Sequence, residues 1–168
     1  LGGILKDLGR LKEAEVAARQ AIELDPDLAV AHSNLGGILK NLDNLKEAEL
    51  ATRKAIELNP DLAEAHSNLG TILTDLGKFQ EAELSTRLAI KLKPDYYEAY
   101  VNLSSLELLK GDYQSGLEHY EFRFKRKNSF FMQVNQKIKR IGARKLQQGE
   151  KLLVVSEQGL GDNFQYMR

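Results

Sequence analysis

The sequence predicts an all-α fold: a right-handed solenoid of helix-turn-helix units, followed at the C-terminus by the truncated β-α start of a second, α/β domain. Three observations carry this. The text from Ala31 to Glu64 returns from Ala65 to Glu98, at an offset of 34 residues. The only three prolines, Pro26, Pro60 and Pro94, keep that offset. Within each unit the apolar residues fall at helical spacing in two runs. A period of this size means stacked repeats, each burying its faces against its neighbours.

The chain opens inside an element, because Leu1-Gly2 matches Leu35-Gly36. It is therefore expected to be a piece of a longer protein. The first repeat, 1–28, is partial; repeats two and three are 29–62 and 63–96. In repeat two, Ala31, Leu35, Ile38, Leu39 and Leu42 predict a first helix, and Ala48, Ala51, Ala55, Ile56 and Leu58 a second. The turn between them carries Gly9, Gly77 and Gly111 in the other copies, where a left-handed residue is cheap. Asp43 stands there in repeat two, and Asp tolerates that conformation better than most residues. Asp61 with Glu64, and Asp95 with Glu98, have capping-box spacing with Asp as the cap. A divergent fourth repeat, 97–127, keeps Tyr100, Leu103, Gly111 and Tyr120, but Gly116 replaces the alanine of the second helix. Tyr120, Phe122 and Phe124 make that helix aromatic, and they are expected to dock the next domain.

These units resemble the tetratricopeptide repeat, or TPR, whose pattern runs aromatic, Leu-Gly, aromatic, Ala, aromatic, Pro. Repeat two supplies His32, Leu35, Gly36, Leu39, Ala48, Thr52 and Pro60, and repeat three His66, Leu69, Gly70, Leu73, Ala82, Thr86 and Pro94. His, Leu and Thr replace the aromatics. The small residues, which set the close helix approach, are kept.

Charge is unevenly spread. Residues 1–121 hold 13 Lys/Arg against 21 Asp/Glu, whereas 122–149 hold nine basic residues and no acidic one. The basic stretch, with 128–150 as a connector, is expected to be a solvated or docked linker, since basic runs are usually solvated faces. A nucleic-acid partner ranks lowest because the solenoid is acidic. The chain has no cysteine, hence no disulfide framework or thiolate metal site. Nothing resembles a signal peptide and no apolar run approaches a membrane span. A soluble, cytoplasmic protein is expected.

Lys151 to Ser156, KLLVVS, predicts a buried strand, followed by Gly159-Leu160-Gly161-Asp162 and a helix-compatible run from Asn163 to Arg168, so 151–168 reads as a first strand and helix start. This text resembles the first strand and turn of the glycosyltransferase-like domain found after TPR arrays, a domain similar to the heptosyltransferases. The resemblance implies that Asp162 is a catalytic base near the acceptor; by its residue type alone, Asp162 reads equally as a helix cap. No cofactor is expected in this piece. A nucleotide sugar is implied only for the parent protein.

No histidine has metal-ligand spacing with carboxylates, and no metal site is expected. His32 and His66 occupy the inward aromatic position and read as packing residues. No serine sits in a nucleophile elbow. The polar signal is Asn34, Asn68 and Asn102, one per repeat, with Ser33, Ser67 and Thr71 beside them. Mid-helix Asn has poor propensity and needs a reason, and a carboxamide carries both donor and acceptor groups for a peptide backbone. The row resembles the asparagine ladder of the TPR superhelix of O-linked N-acetylglucosamine transferases, and IKLKPDYYEAYVNL is similar to their last repeats. That resemblance implies a concave groove holding an extended peptide. The alternative is that the asparagines tie neighbouring helices together. The function expected is a protein-binding module attached to a glycosyltransferase-like domain; the alternative is a spacer or oligomerisation part of such an enzyme.

Overall fold

In a computed structural model of the chain, residues 9–125 are described. Among them lie seven α-helices: α1 (Leu11–Leu24), α2 (Ala29–Asn41), α3 (Leu45–Leu58), α4 (Ala63–Asp75), α5 (Phe79–Leu92), α6 (Tyr97–Leu109) and α7 (Tyr113–Tyr120), then a 3-10 helix, Glu121–Lys125. Helices α2, α4 and α6 begin repeats two, three and four, as the 34-residue phase requires. No strand occurs among the described residues. The connector over 128–150 and the β-α start over 151–168, with Asp162, lie outside them.

Each repeat is an antiparallel helix pair, and the second helix of one packs on the first helix of the next. First helices of successive repeats also touch each other, α2 on α4 and α4 on α6, whereas second helices make no comparable approach. The stack therefore curves, with the first helices on its inner side. The core between them is built from Leu39, Ile38, Leu73, Ile72, Leu103 and Leu106, all buried.

The two helices of a repeat approach at glycine. A Cβ on Gly36 would lie 2.0 Å from Thr52 Oγ1, and one on Gly70 2.1 Å from Thr86 Oγ1. Each threonine hydroxyl donates to the carbonyl one turn back, Thr52 to Ala48 and Thr86 to Ala82, both at 2.8 Å. Repeat four exchanges the sizes: Ser104 stands at the glycine position and Gly116 at the alanine position, and Ser104 Oγ donates to Gly116 O at 2.7 Å. Gly116, read from sequence as a departure, is thus the partner of a second substitution across the contact.

The turns hold the expected left-handed residues, Gly9, Gly77 and Gly111 at φ 74°, 74° and 84°, and Asp43 at φ 62°. A side chain at positive φ is strained by roughly 1–2 kcal/mol, and glycine offsets part of that relief by loosening the unfolded chain. Asp43→Gly is expected to stabilise by a few tenths to about 1 kcal/mol, read as a higher melting temperature at unchanged helicity.

The capping expectation fails. The N-caps of α4 and α6 are Leu62 and Tyr96, and neither makes a side-chain cap bond. Asp61 lies one residue too early. Its backbone N–H instead donates to Asn59 Oδ1 at 3.1 Å, as that of Asp27 does to Asp25 Oδ1 at 3.2 Å, so the residues before Pro26 and Pro60 shape their turns. The next domain, which the terminal aromatics were expected to dock, lies outside the described residues. Phe122 stacks on Tyr100 of its own repeat, centroids 3.9 Å apart at 8°, and the Arg123 guanidinium lies 3.7 Å over the Tyr120 ring. Among the described residues no helix is long and apolar enough to cross a membrane.

Candidate interaction groove

Helices α2, α4 and α6 each place an asparagine directly before the leucine that enters the core. One helical step round from Leu35, Leu69 and Leu103, the asparagine leaves the core on the inner side of the curve. Asn34 is exposed; Asn68 and Asn102 are half-buried. The sequence-derived row therefore exists, and it is bonded internally. Asn68 Nδ2 donates to Ser33 Oγ at 3.1 Å and to Ser33 O at 3.3 Å, and Asn102 Nδ2 donates to Ser67 Oγ at 3.0 Å. These bonds tie the first helices of successive repeats together at Asn68 and Asn102. Thr71 lies one turn on, half-buried, its hydroxyl donating to Asn68 O at 2.9 Å.

An open cleft of about 450 Å³ runs along this face, lined among others by Val30, Ser33, Asn34, Glu64, Asn68 and Tyr96. Sequence reasoning missed Val30, Glu64 and Tyr96. The signal was present: Tyr96 stands in phase with Leu28 and Leu62, and Glu64 in phase with Val30. Lys93 Nζ pairs with Glu64 Oε1 at 2.7 Å and lies 5.0 Å from the Tyr96 ring centroid. The hydrogen bond from Lys93 holds the Glu64 carboxyl below its usual range against the opposing effect of burial. Burial pushes the Tyr96 phenol up, and a hydrogen bond with Ser67 partly offsets this.

The histidines are more than packing. His32 Nε2 lies 2.9 Å from Pro26 O and His66 Nε2 2.8 Å from Pro60 O, so each ring ties its helix to the preceding turn. Among the described residues no cluster of three His, Asp or Glu is arranged to hold a metal ion.

Tetratricopeptide repeat family models match residues 1–28, 29–62 and 51–83. The chain carries tetratricopeptide repeats. Its TPR stack is similar to the crystal structure of MamA, at 25% identity and TM-score 0.62 over 74% of this chain and 73% of that one. It is similar to a mutant Thermobaculum terrenum O-GlcNAc transferase, at 27% identity and TM-score 0.61; the match covers 63% of this chain and 20% of the transferase. The first TPR of Spaghetti (RPAP3), solved bound to the HSP90 peptide SRMEEVD, shares the fold at 24% identity and TM-score 0.60, over 66% of this chain and 87% of that one. Among curated proteins, none matches the sequence.

Proposed function

We propose that the TPR stack binds an extended peptide or a peptide-like segment of a partner protein along the face of α2, α4 and α6. The observation that carries this is the row of Asn34, Asn68 and Asn102 beside an open cleft. Each carboxamide offers groups that pair with any peptide backbone, so the grip needs no particular side chain. The Spaghetti TPR shows that this fold accommodates a peptide; the assignment here rests on the groove itself.

Replacing all three asparagines with Ala is expected to weaken binding by about tenfold or more, from about 0.5–1.5 kcal/mol per lost hydrogen bond. Helicity should persist, since Ala is the better helix former, with a modest fall in melting temperature from the three lost inter-repeat bonds. The assay is titration of a labelled peptide, selected by display on the wild-type repeats, with circular dichroism as the fold control. Unchanged affinity in the folded triple variant would leave helix tying as the asparagines' sole role.

A second reading is favoured by the likeness to the O-GlcNAc transferase. In it these repeats precede a glycosyltransferase-like domain, present acceptors to it, and have Asp162 as a base in its first turn. The donor would be a nucleotide sugar. Sugar transfer that is present in the protein extended beyond Arg168, and lost there on Asp162→Asn, tests this reading; activity surviving that substitution removes Asp162 from the chemistry.

A further inference from the structure

Ser33 and Ser67 were read from sequence as groove residues. They are only 3% and 2% exposed, although Ser33 still lines the cleft. Their hydroxyls nevertheless reach the asparagine of the following repeat. The orientation at Asn68 is fixed by chemistry: its amide end faces Ser33 O as well as Ser33 Oγ. A backbone carbonyl only accepts, so the nitrogen lies on that side and Oδ1 points away. Asn102 keeps the hydroxyl half of this arrangement, with Nδ2 donating to Ser67 Oγ, and Ser67 also pairs with the Tyr96 hydroxyl. The bonds of Asn68 and Asn102 engage Nδ2 and leave Oδ1 without a protein donor. No buried side-chain oxygen or nitrogen among the described residues lacks a partner. The two carboxamide oxygens therefore reach solvent. The cleft has one charged lining residue, Glu64, already held by Lys93. At Asn68 the cleft presents a carboxamide oxygen beside that carboxylate, both of them acceptors.

We propose that Ser33 and Ser67 are positioning residues that turn the Asn68 and Asn102 carboxamides oxygen-outward, so that the groove takes an extended chain by its backbone N–H donors. This rests on the asparagine row being a peptide groove, and it adds the polarity of the grip. A partner must present N–H groups to this face; a C-terminal carboxylate or an N-alkylated chain meets acceptors with nothing to donate.

The probes are acetyl-(Ser-Gly)6-amide and the same peptide N-methylated at its six central residues, which removes donors from both edges and keeps every carbonyl. Each is titrated at millimolar concentration into the ¹⁵N-labelled protein, following the asparagine side-chain amide signals. The parent peptide is expected to shift the Asn34, Asn68 and Asn102 signals and to bind about tenfold or more tighter than its methylated form, since several neutral hydrogen bonds are at stake. In Ser33→Ala/Ser67→Ala, with helicity checked by circular dichroism, that ratio should fall, because Asn102 loses the bond that orients it and Asn68 keeps only the longer one to the backbone carbonyl of residue 33. A purely structural role for the serines would weaken both peptides alike and leave the ratio unchanged, which overturns the proposal. Equal binding of both peptides to the wild type overturns it while leaving the groove standing. If neither peptide shifts the asparagine signals, the groove fails and the polarity with it.

Discussion

Gly70→Ala should lower the melting temperature sharply, although alanine is the better helix residue. The new Cβ would lie 2.1 Å from Thr86 Oγ1, in a contact between two helix backbones. Overpacking of this kind costs roughly 1–3 kcal/mol, and so tight a contact belongs at the upper end. The gain in helix propensity is only about 1 kcal/mol. Thr86→Ala removes the offending oxygen; the nearest remaining atoms are Ala82 O at 3.2 Å and Thr86 Cβ at 3.3 Å, which a small shift relieves. The double variant Gly70→Ala/Thr86→Ala should therefore recover most of the loss. Urea denaturation of the four proteins gives the coupling, expected at about 0.5–3 kcal/mol for groups in contact. Additive losses would show that the strain is not at this oxygen.

The second large effect lies in repeat four. Glu107 takes the position that Leu39 and Leu73 fill in repeats two and three, and its side chain is only 4% exposed. His119 Nδ1 donates to Glu107 Oε2 at 2.6 Å, and Arg87 Nη2 donates to Oε1 at 3.2 Å from the preceding repeat. A buried carboxylate that loses a partner costs roughly 3–5 kcal/mol. His119→Ala should fall at the low end of that range, because Arg87 stays. Replacing a buried ion pair by a hydrophobic side chain is often neutral, or stabilising by about 1–4 kcal/mol. Glu107→Leu should thus be tolerated, and Glu107→Leu/His119→Ala should be far more stable than His119→Ala alone. Denaturation midpoints decide it: a neutral His119→Ala would mean that the carboxylate does not depend on the imidazole.

The helices were legible because a solenoid repeats its own instructions. Proline, glycine and alanine at fixed phase place every turn and close contact, and the structure puts α2, α4 and α6 where that phase requires. What sequence misassigned depends on one-residue geometry. Asp61 has the type of a cap but stands before Leu62, so its side chain is out of position and Asn59 shapes the turn instead. Ser33 and Ser67 sit beside the asparagines in sequence; one helical step leaves them almost wholly buried, and Ser33 still lines the cleft. Glu107 was open to inference by aligning it with Leu39 and Leu73, but a lone carboxylate in a divergent repeat reads as surface until His119, twelve residues on, is seen to meet it. The asparagine row was found because it recurs; its bonds to the serines of the preceding repeat depend on how closely the first helices stack, which periodicity does not specify.

The curved stack has a mechanical side. Its inner edge is tied by first helices in direct contact and by short Asn–Ser bonds. Along its outer edge the second helices are spanned by long side chains, Arg19 to Glu47 from α1 to α3 and Arg53 to Glu81 from α3 to α5. Lys78 on Glu49 and Lys110 on Glu83 add ties between repeats, and these cations hold both carboxyls below their usual range. Exposed pairs of this kind are worth about 0.2–1 kcal/mol each and weaken in salt. The described repeat stack is thus a bent beam with a rigid inner flange and an outer flange of ionic struts. Raising the ionic strength slackens the outer one more, since the inner edge has the Lys40–Asp75 pair but is otherwise held by packing and neutral hydrogen bonds, so salt softens the curve while the fold is left intact.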